Sequence, residues 1–333
     1  FKFAHALFGS FPHFVLDIAG VGTIADLVPL VDENRLLAKY GLQAIDQSTN
    51  PGIQALKKVC GVNGAATAYH VGFGMGPRIN ASGRLESADR AVKLLTTHSE
   101  EEAERYANEL DLLNKERQLL VDSITQEAMK SVEELPDEQR KVLVVAGEEW
   151  NEGVIGIVAS RLVEKYYRPT IVLSINNEKR VAKGSARSIE GYNMYEALTI
   201  CKELLPHYGG HPMAAGMTLS VDHIGDLRTN LNKLAEEWLK EEDYQPITKV
   251  DALCSLSEMN LRTSSEIEKL APFGIGNPAP RILINNVEIT ELRAIGKNED
   301  HLKCQFLTED YQLDGIGFKM GPLLSELPSS VSV

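Results

Sequence analysis

No apolar run in this 333-residue chain approaches the ~20 residues that cross a bilayer, and the stretch from Phe14 to Leu30 is broken by Asp17 and Asp26. A membrane protein is therefore not expected. Cysteine is scarce: Cys60, Cys201, Cys254 and Cys304 stand far apart with no Cys-x-x-Cys pair. That spacing argues against a zinc knuckle, a redox motif or a disulfide framework, and fits a reducing cytoplasm. Positive charge is outweighed, with 34 Lys and Arg against 47 Asp and Glu and a formal net charge of −13. Such a balance counts against nucleic acid as a partner for the surface as a whole, because that binding is driven by neutralising phosphates. There is no initiating methionine and no basic segment ahead of an apolar one, so the chain reads as a fragment without a visible secretory signal. What is present is an apolar fraction of 43% and a charged fraction of 24%, as in globular proteins. The length allows two or three units of roughly 100–200 residues each.

Charge is unevenly distributed. Acidity concentrates between Glu100 and Glu138, whereas Lys179, Arg180, Lys183 and Arg187 cluster beside Gly184-Ser185-Ala186-Arg187-Ser188. A local basic site can sit on an acidic body. Residues 14–30 read as a buried strand or helix, and helical spacing resumes from Leu36 to Ile45. Gly74 to Arg84 reads as a glycine-rich passage too broken for regular structure, with helix returning at Ala88 to Leu95. Ser99-Glu100-Glu101-Glu102 is a capping-box pattern that opens a long helix. Ala103, Ala107, Leu110, Leu113, Arg117, Leu120, Ile124, Ala128 and Val132 follow at spacings of three or four, and Pro136 stops them. About 36 residues make a rod of ~54 Å, read as a connecting helix; a coiled-coil arm is the alternative.

A second α/β unit follows: strand Lys141–Ala146, helix Val154–Tyr166, strand Thr170–Ile175, a turn at Asn176-Asn177-Glu178 and a returning strand Arg180–Ser188. Helix Asn193–Leu205, strand Met213–Leu219 and helix Ile224–Leu239 complete it. From Ile247 the texture becomes β, with Arg281–Ile289, Leu302–Leu307 and Leu313–Phe318 as strands of a small barrel. Ser329–Val333 reads as the opening of a further strand with nothing to pair it.

Three clusters can carry chemistry. Gly209-Gly210-His211-Pro212-Met213-Ala214-Ala215-Gly216 sets glycines and a histidine among small side chains, as a phosphate cradle or as a tight helix-to-strand turn. Ser185 and Arg187 alternate along one face of a strand, so hydroxyl and guanidinium can share a phosphate; a solvated strand face is the alternative. Arg78 and Arg84 bracket Asn80 and Ser82 in a set of phosphate donors, or form surface ion pairs. Asp17 and Asp26 flank Gly20 to Ala25, where Asp26 could bind a hard cation or cap a helix N-terminus. Trp150-Asn151-Glu152-Gly153 precedes a helix whose N-terminal amides could face an anion, with Trp150 in the core or a lid.

Taken in order, Leu16 to Asp26, Gly76 to Leu85, Gly184 to Ser188 and Gly209 to Gly216 resemble the motifs of the bacterial RecJ exonucleases of the DHH phosphoesterase superfamily. The resemblance implies an α/β chain: residues 1–95 the end of a DHH catalytic domain, 96–138 a connecting helix, 139–243 a DHHA1 domain and 244–333 an OB-like domain. It implies 5′-to-3′ degradation of single-stranded DNA in repair and recombination, with Mn²⁺ or Mg²⁺ in the full-length protein. A single-strand-binding protein and a helicase are the implied protein partners. Asp26 matches a metal-binding aspartate, with Asp17 the alternative. Ser185 and Arg187 match a 5′-phosphate pocket, and Arg78, Asn80, Arg84, Gly209, Gly210 and His211 match positions near the DNA backbone or the scissile phosphate, His211 with a catalytic role. The upstream aspartate motifs and the Asp-His-His triplet are absent from the 333 residues, so this polypeptide alone is expected not to catalyse. The other readings are a DHH phosphoesterase for small nucleotides and a non-catalytic DNA-binding replication scaffold.

Overall fold

The computed structural model describes all residues except Glu309, Pro328, Ser329, Ser332 and Val333. It divides into two units, residues 1–44 with 248–333, and residues 45–247. This grouping joins the beginning of the chain to its last quarter, which a linear order of domains does not anticipate. The first segment contains α1 (Lys2–Phe8), α2 (Leu16–Ala25) and α3 (Asp32–Asp46), whose last residues enter the second unit. A Cβ on Gly20 of α2 would lie 2.6 Å from the Gly41 Cα of α3, so these helices meet backbone to backbone. Gly20 thus serves helix contact within its motif.

In the second unit Asn50 accepts from the Gly52 and Ile53 amides and, with Pro51 in the first turn, starts α4 (Pro51–Val59). The passage from Gly74 to Arg84 is regular, contrary to expectation: a π-helical stretch, His70–Met75, runs into α5 (Gly76–Leu85). Pro77 explains the order of the two. A proline inside an α-helix clashes with the carbonyl four residues before it, and widening the preceding turn to π relieves that clash. Val71, Met75, Ala81 and Ser82 are buried along this helix, and α5 packs against α7, so tertiary burial overrides the poor helix propensity of the glycines.

After α6 (Asp89–Thr96), the Ser99 hydroxyl accepts from the Glu102 amide (3.3 Å) and opens α7 (Glu100–Glu133). The box is not reciprocal, since Glu102 takes the Thr97 hydroxyl and the Ser99 amide donates to Thr97 Oγ1. The N-terminal half of α7 packs on α4, α5 and α6, and its C-terminal half on the following strand and helix. It is a shared spine for the whole unit.

That strand is β1 (Leu143–Glu148), followed by α8 (Ile155–Tyr166), β2 (Thr170–Asn176), β3 (Val181–Arg187) and α9 (Met194–Ile200). β4 (His207–His211), β5 (Ala214–Ser220) and α10 (Ile224–Trp238) complete the unit. The sheet order is β1-β2-β3-β5-β4, with β1 and β2 parallel and every other pair antiparallel. One face buries Ile171, Leu173, Ala182, Ala186, Met217 and Leu219 with residues of α9 and α10. The other buries Leu143, Val145 and Val172 with residues of α7 and α8. The expected helix-to-strand turn at Gly209–Gly216 is instead a β-hairpin, β4 and β5 joined at Pro212-Met213. The expected helix Asn193–Leu205 ends at Ile200 and is followed by a 3₁₀ turn, leaving room for that edge strand.

The last quarter of the chain adds β6 (Ala252–Leu253), α11 (Leu261–Glu268), β7 (Ile282–Leu283), β8 (Val287–Ile295), β9 (His301–Leu307), β10 (Gln312–Gly317) and β11 (Ser330–Val331). The expected strand Arg281–Ile289 is interrupted between β7 and β8. β10, β9, β8 and β11 form an antiparallel sheet, and β6 pairs with β7 in parallel. Ser330 and Val331 do find a partner, pairing with Glu288 and Val287, while the rest of Ser329–Val333 lies outside the described residues. Within this unit the Leu30 amide donates to Ile275 O and Arg35 to Leu270 O, which ties the first segment to the last. Among the described residues no helix is long and apolar enough to cross a membrane, and all four cysteines are free thiols.

Candidate phosphate-binding site on the sheet

Strand register determines which side chains meet. Arg187 pairs with Ala214, which pairs with His211; Ser185 pairs with Gly216, which pairs with Gly209; Lys183 pairs with Thr218, which pairs with His207. Because side chains alternate, these three rungs share one face, opposite the buried Ala182, Ala186, Met217 and Leu219. The middle strand there offers only Ala214, Gly216 and Thr218, so the face is a shallow trough. Arg187 and His211 flank one end, about 10 Å apart at the backbone, and Lys183 and His207 flank the other. A groove of about 470 Å³ occupies the latter end, lined among others by Glu152, Lys183, Ser185, His207, Gly216 and Thr218. Gly210 points to the other face. A Cβ there would come within 2.4 Å of Ala214 O, and its φ of +152° favours glycine.

Arg84 is in electrostatic reach of Arg187 on the sheet and of Arg117 on α7. Arg187 is half-buried and bonds the Ser185 hydroxyl (3.3 Å) and Ala186 O (2.8 Å). Burial, and then the Arg84 charge, pull its pKa below the ordinary arginine value. Arg84 holds Gly153 O at 3.0 Å. Arg117, from α7, is also lowered, by burial first and then by Arg84 and Arg161, with Asp122 opposing. Arg161 has Asp122 as ion-pair partner, but Arg84, Arg117 and Arg187 have none within 4 Å among the described residues. The Arg117 Nε is buried without a hydrogen-bond partner. Like charges held together and desolvated favour an anion with more than one negative charge, and the Ser185 hydroxyl adds a neutral donor.

The first turn of α8 borders the cluster and has no side-chain cap. A Cβ on Gly156 would lie 2.9 Å from Ser185 Oγ and 3.3 Å from an Arg187 nitrogen, so glycine lets the helix approach these groups. Trp150 is a core residue, its Nε1 donating to Glu127 at 2.9 Å.

The structure separates the sequence candidates. Ser185, Arg187, Gly209 and His211 share the trough, and Arg84 reaches Arg187 electrostatically. Asn80 is exposed one helical turn before Arg84 on α5. Arg78 is a correction: it faces α7, donates to Asp111 at 2.8 Å and also bonds Gly74 O and Val59 O, so its donors are consumed within the protein. Ser82 is buried and bonds Ile79 O. Asp26 is exposed and caps the C-terminus of α2, not the N-terminus of a helix. Asp17 is buried in the first turn of α2, its carboxylate accepting from the Ile18 amide. A hard divalent cation wants several oxygen ligands, and no group of three potential metal ligands occurs among the described residues. The residues present therefore do not by themselves fit a Mn²⁺ or Mg²⁺ site. Arg117, to which sequence reasoning gave no role, is an arginine in the otherwise apolar helical spacing of α7.

Residues 139–241 match the family model of the DHHA1 domain, and residues 250–333 that of the RecJ OB domain. The chain is 48% identical over 324 residues to the single-stranded-DNA-specific exonuclease RecJ of Bacillus subtilis, covering 97% of this chain and 41% of that protein. It is 36% identical over 323 residues to the Haemophilus influenzae RecJ, covering 93% and 56%. The crystal structure of Thermus thermophilus RecJ in complex with Mn²⁺ superposes with a TM-score of 0.83 at 32% identity, covering 99% of this chain and 47% of that one. The same Thermus protein has been crystallised with Mg²⁺. The chain spans about half the length of the curated relatives it matches.

Proposed function

Because the chain belongs to the RecJ family, we propose that it forms the strand-holding part of a 5′-to-3′ single-stranded-DNA exonuclease of DNA repair and recombination, and that its sheet trough seats the 5′-terminal phosphate. The observation that carries this reading is the Ser185–Arg187 pair on one strand face, crowded by Gly156 of the first turn of α8 and beside the Gly209–Gly216 rung, with Arg84 in electrostatic reach of Arg187. A terminal phosphate monoester carries about −1.5 to −2 charges at neutral pH and a backbone diester only about −1, so neighbouring guanidinium groups favour the end of a strand over its interior. Ser185 and Arg187 hold the phosphate, Arg84 and Arg117 add charge, and Gly209 and Gly216 let the backbone approach. His211, across Ala214 from Arg187, faces the next phosphate, while Asn80 lies beside the strand's path.

In the full-length protein Mn²⁺ or Mg²⁺ would activate water for hydrolysis. Asp26 offers one carboxylate toward such a site, and this chain's residues define no hydrolytic step. The match to the RecJ OB domain favours a polymeric strand over a small nucleotide as substrate, and a single-strand-binding protein and a helicase are the protein partners of this reading. The test is equilibrium binding of oligonucleotides that differ only at the 5′ end. The wild-type chain prefers the 5′-phosphate over the 5′-hydroxyl, and Arg187→Ala removes about tenfold of affinity for the phosphorylated strand with little effect on the other. Equal losses on both strands would remove the pocket from the account.

A further inference from the structure

The alternation along β3 that aims Ser185 and Arg187 into the trough aims Lys183 the same way, one rung beyond Ser185 and about 6.8 Å along the strand. That rung continues through Thr218 of β5 to His207 of β4, so an ammonium, a hydroxyl and an imidazole cross the trough together. They line the groove of about 470 Å³, which reaches Ser185 and is bounded by Ile155 of α8 and by Glu152 just before it. Between the two rungs the floor is open, since a Cβ on Gly216 would meet only Gly184 O, at 3.8 Å. The fold makes little use of these groups. Neither the Thr218 hydroxyl nor the His207 ring has a hydrogen-bond partner among the described residues. Lys183 pairs with the Glu152 carboxylate, Nζ to Oε2 at 2.9 Å, with side chains 57% and 53% exposed. An ion pair so open to water adds little stability and yields readily to a stronger anion.

Resting on the 5′-phosphate reading, we propose that this groove receives the outer phosphoryl groups of a 5′-triphosphate, so that the chain binds strands begun from a nucleoside triphosphate as well as strands made by cleavage. With the innermost phosphate on Ser185 and Arg187 and the strand leaving toward His211, the Lys183 end lies beyond the 5′ terminus. Only groups attached to the terminal phosphate reach it. One rung of the sheet is the right order of length for two further phosphoryl groups, and the open floor at Gly216 lets them pass. The outermost phosphate replaces Glu152 as the partner of Lys183 and takes donors from Thr218 and His207. Glu152 thereby sets the selectivity, because a monophosphate leaves its ion pair in place and a triphosphate must displace it.

The test is equilibrium binding of one oligothymidylate carrying a 5′-hydroxyl, a 5′-monophosphate or a 5′-triphosphate, by this chain and its variants. The wild type is expected to bind the triphosphate about tenfold more tightly than the monophosphate. Lys183→Ala is expected to remove most of that gain and to change monophosphate binding by less than about twofold, whereas Glu152→Gln enlarges the gain by about threefold. Lys179→Ala removes the same charge from the neighbouring turn, outside the groove, and is expected to leave the ratio of triphosphate to monophosphate unchanged. Equal wild-type affinity for the two phosphorylated ends, or a ratio lowered alike by Lys183→Ala and Lys179→Ala, would overturn the groove assignment. The ratio of monophosphate to hydroxyl comes from the same titrations. A wild type without that preference contradicts the 5′-phosphate reading, whereas the preference without a triphosphate gain contradicts only the groove.

Discussion

At the scale of single residues, the site is a set of groups whose mutual repulsion the fold tolerates. Arg117 is held partly buried beside Arg84 and Arg161, its Nη2 donating to Asn114 Oδ1 and its Nε lacking a partner. Such an arrangement works against stability and in favour of an anion. Arg117→Met keeps the side-chain length and removes the charge, so the thermal midpoint of the free chain is expected to rise by about 1–3 °C while affinity for 5′-phosphorylated strands falls. A lower midpoint together with unchanged affinity would assign Arg117 to structure alone. The shared strand face of Ser185 and Arg187 was legible from the sequence because strand alternation is a local property. The approach of Arg84 to Arg187 was not, because it depends on where α5 passes the sheet.

At the scale of elements, α7 organises the unit, and Arg78 is the clasp that fastens α5 to it. The Arg78–Asp111 pair is largely shielded, with side-chain exposures of 17% and 15%. Burial pushes the Asp111 carboxyl up, but the Lys115 hydrogen bond and the Arg78 charge outweigh it and hold the group below its ordinary value of 3.8. A carboxyl lowered in the folded state gives stability that is present above that value and is lost as the pH falls through the lower folded one. Arg78→Ala is expected to cost about 3 kcal/mol in urea unfolding, to flatten the fall in stability below pH 3.8, and to leave the preference for 5′-phosphate intact. Loss of that preference in a chain that remains folded would return Arg78 to the DNA-binding set. The long helix, its serine cap and the alternation of β2, β3 and β5 could be read from spacing and capping. The helix through Gly76, Pro77 and Gly83 could not, since glycine and proline signal a break locally and only burial against α7 and the π turn before Pro77 reverse that signal. The Gly209 hairpin was misread for a related reason: an edge strand of glycines shows no period-2 pattern.

At the scale of the whole molecule, a net charge of −13 repels DNA in general, so binding must be concentrated where cations outnumber acids. In the proposed reading that place is the sheet face of Ser185 and Arg187 with Arg84 in electrostatic reach. Charge balance in the sequence pointed away from nucleic acid, and the local clusters near Gly184, Gly209 and Arg84 pointed toward it. The most direct measurement is a crystal structure of this chain with a short 5′-phosphorylated oligothymidylate. The account predicts the terminal phosphate within hydrogen-bond distance of Ser185 Oγ and the Arg187 guanidinium, in the trough beside Gly216. A 5′-phosphate found elsewhere, with the trough holding only solvent, would contradict it.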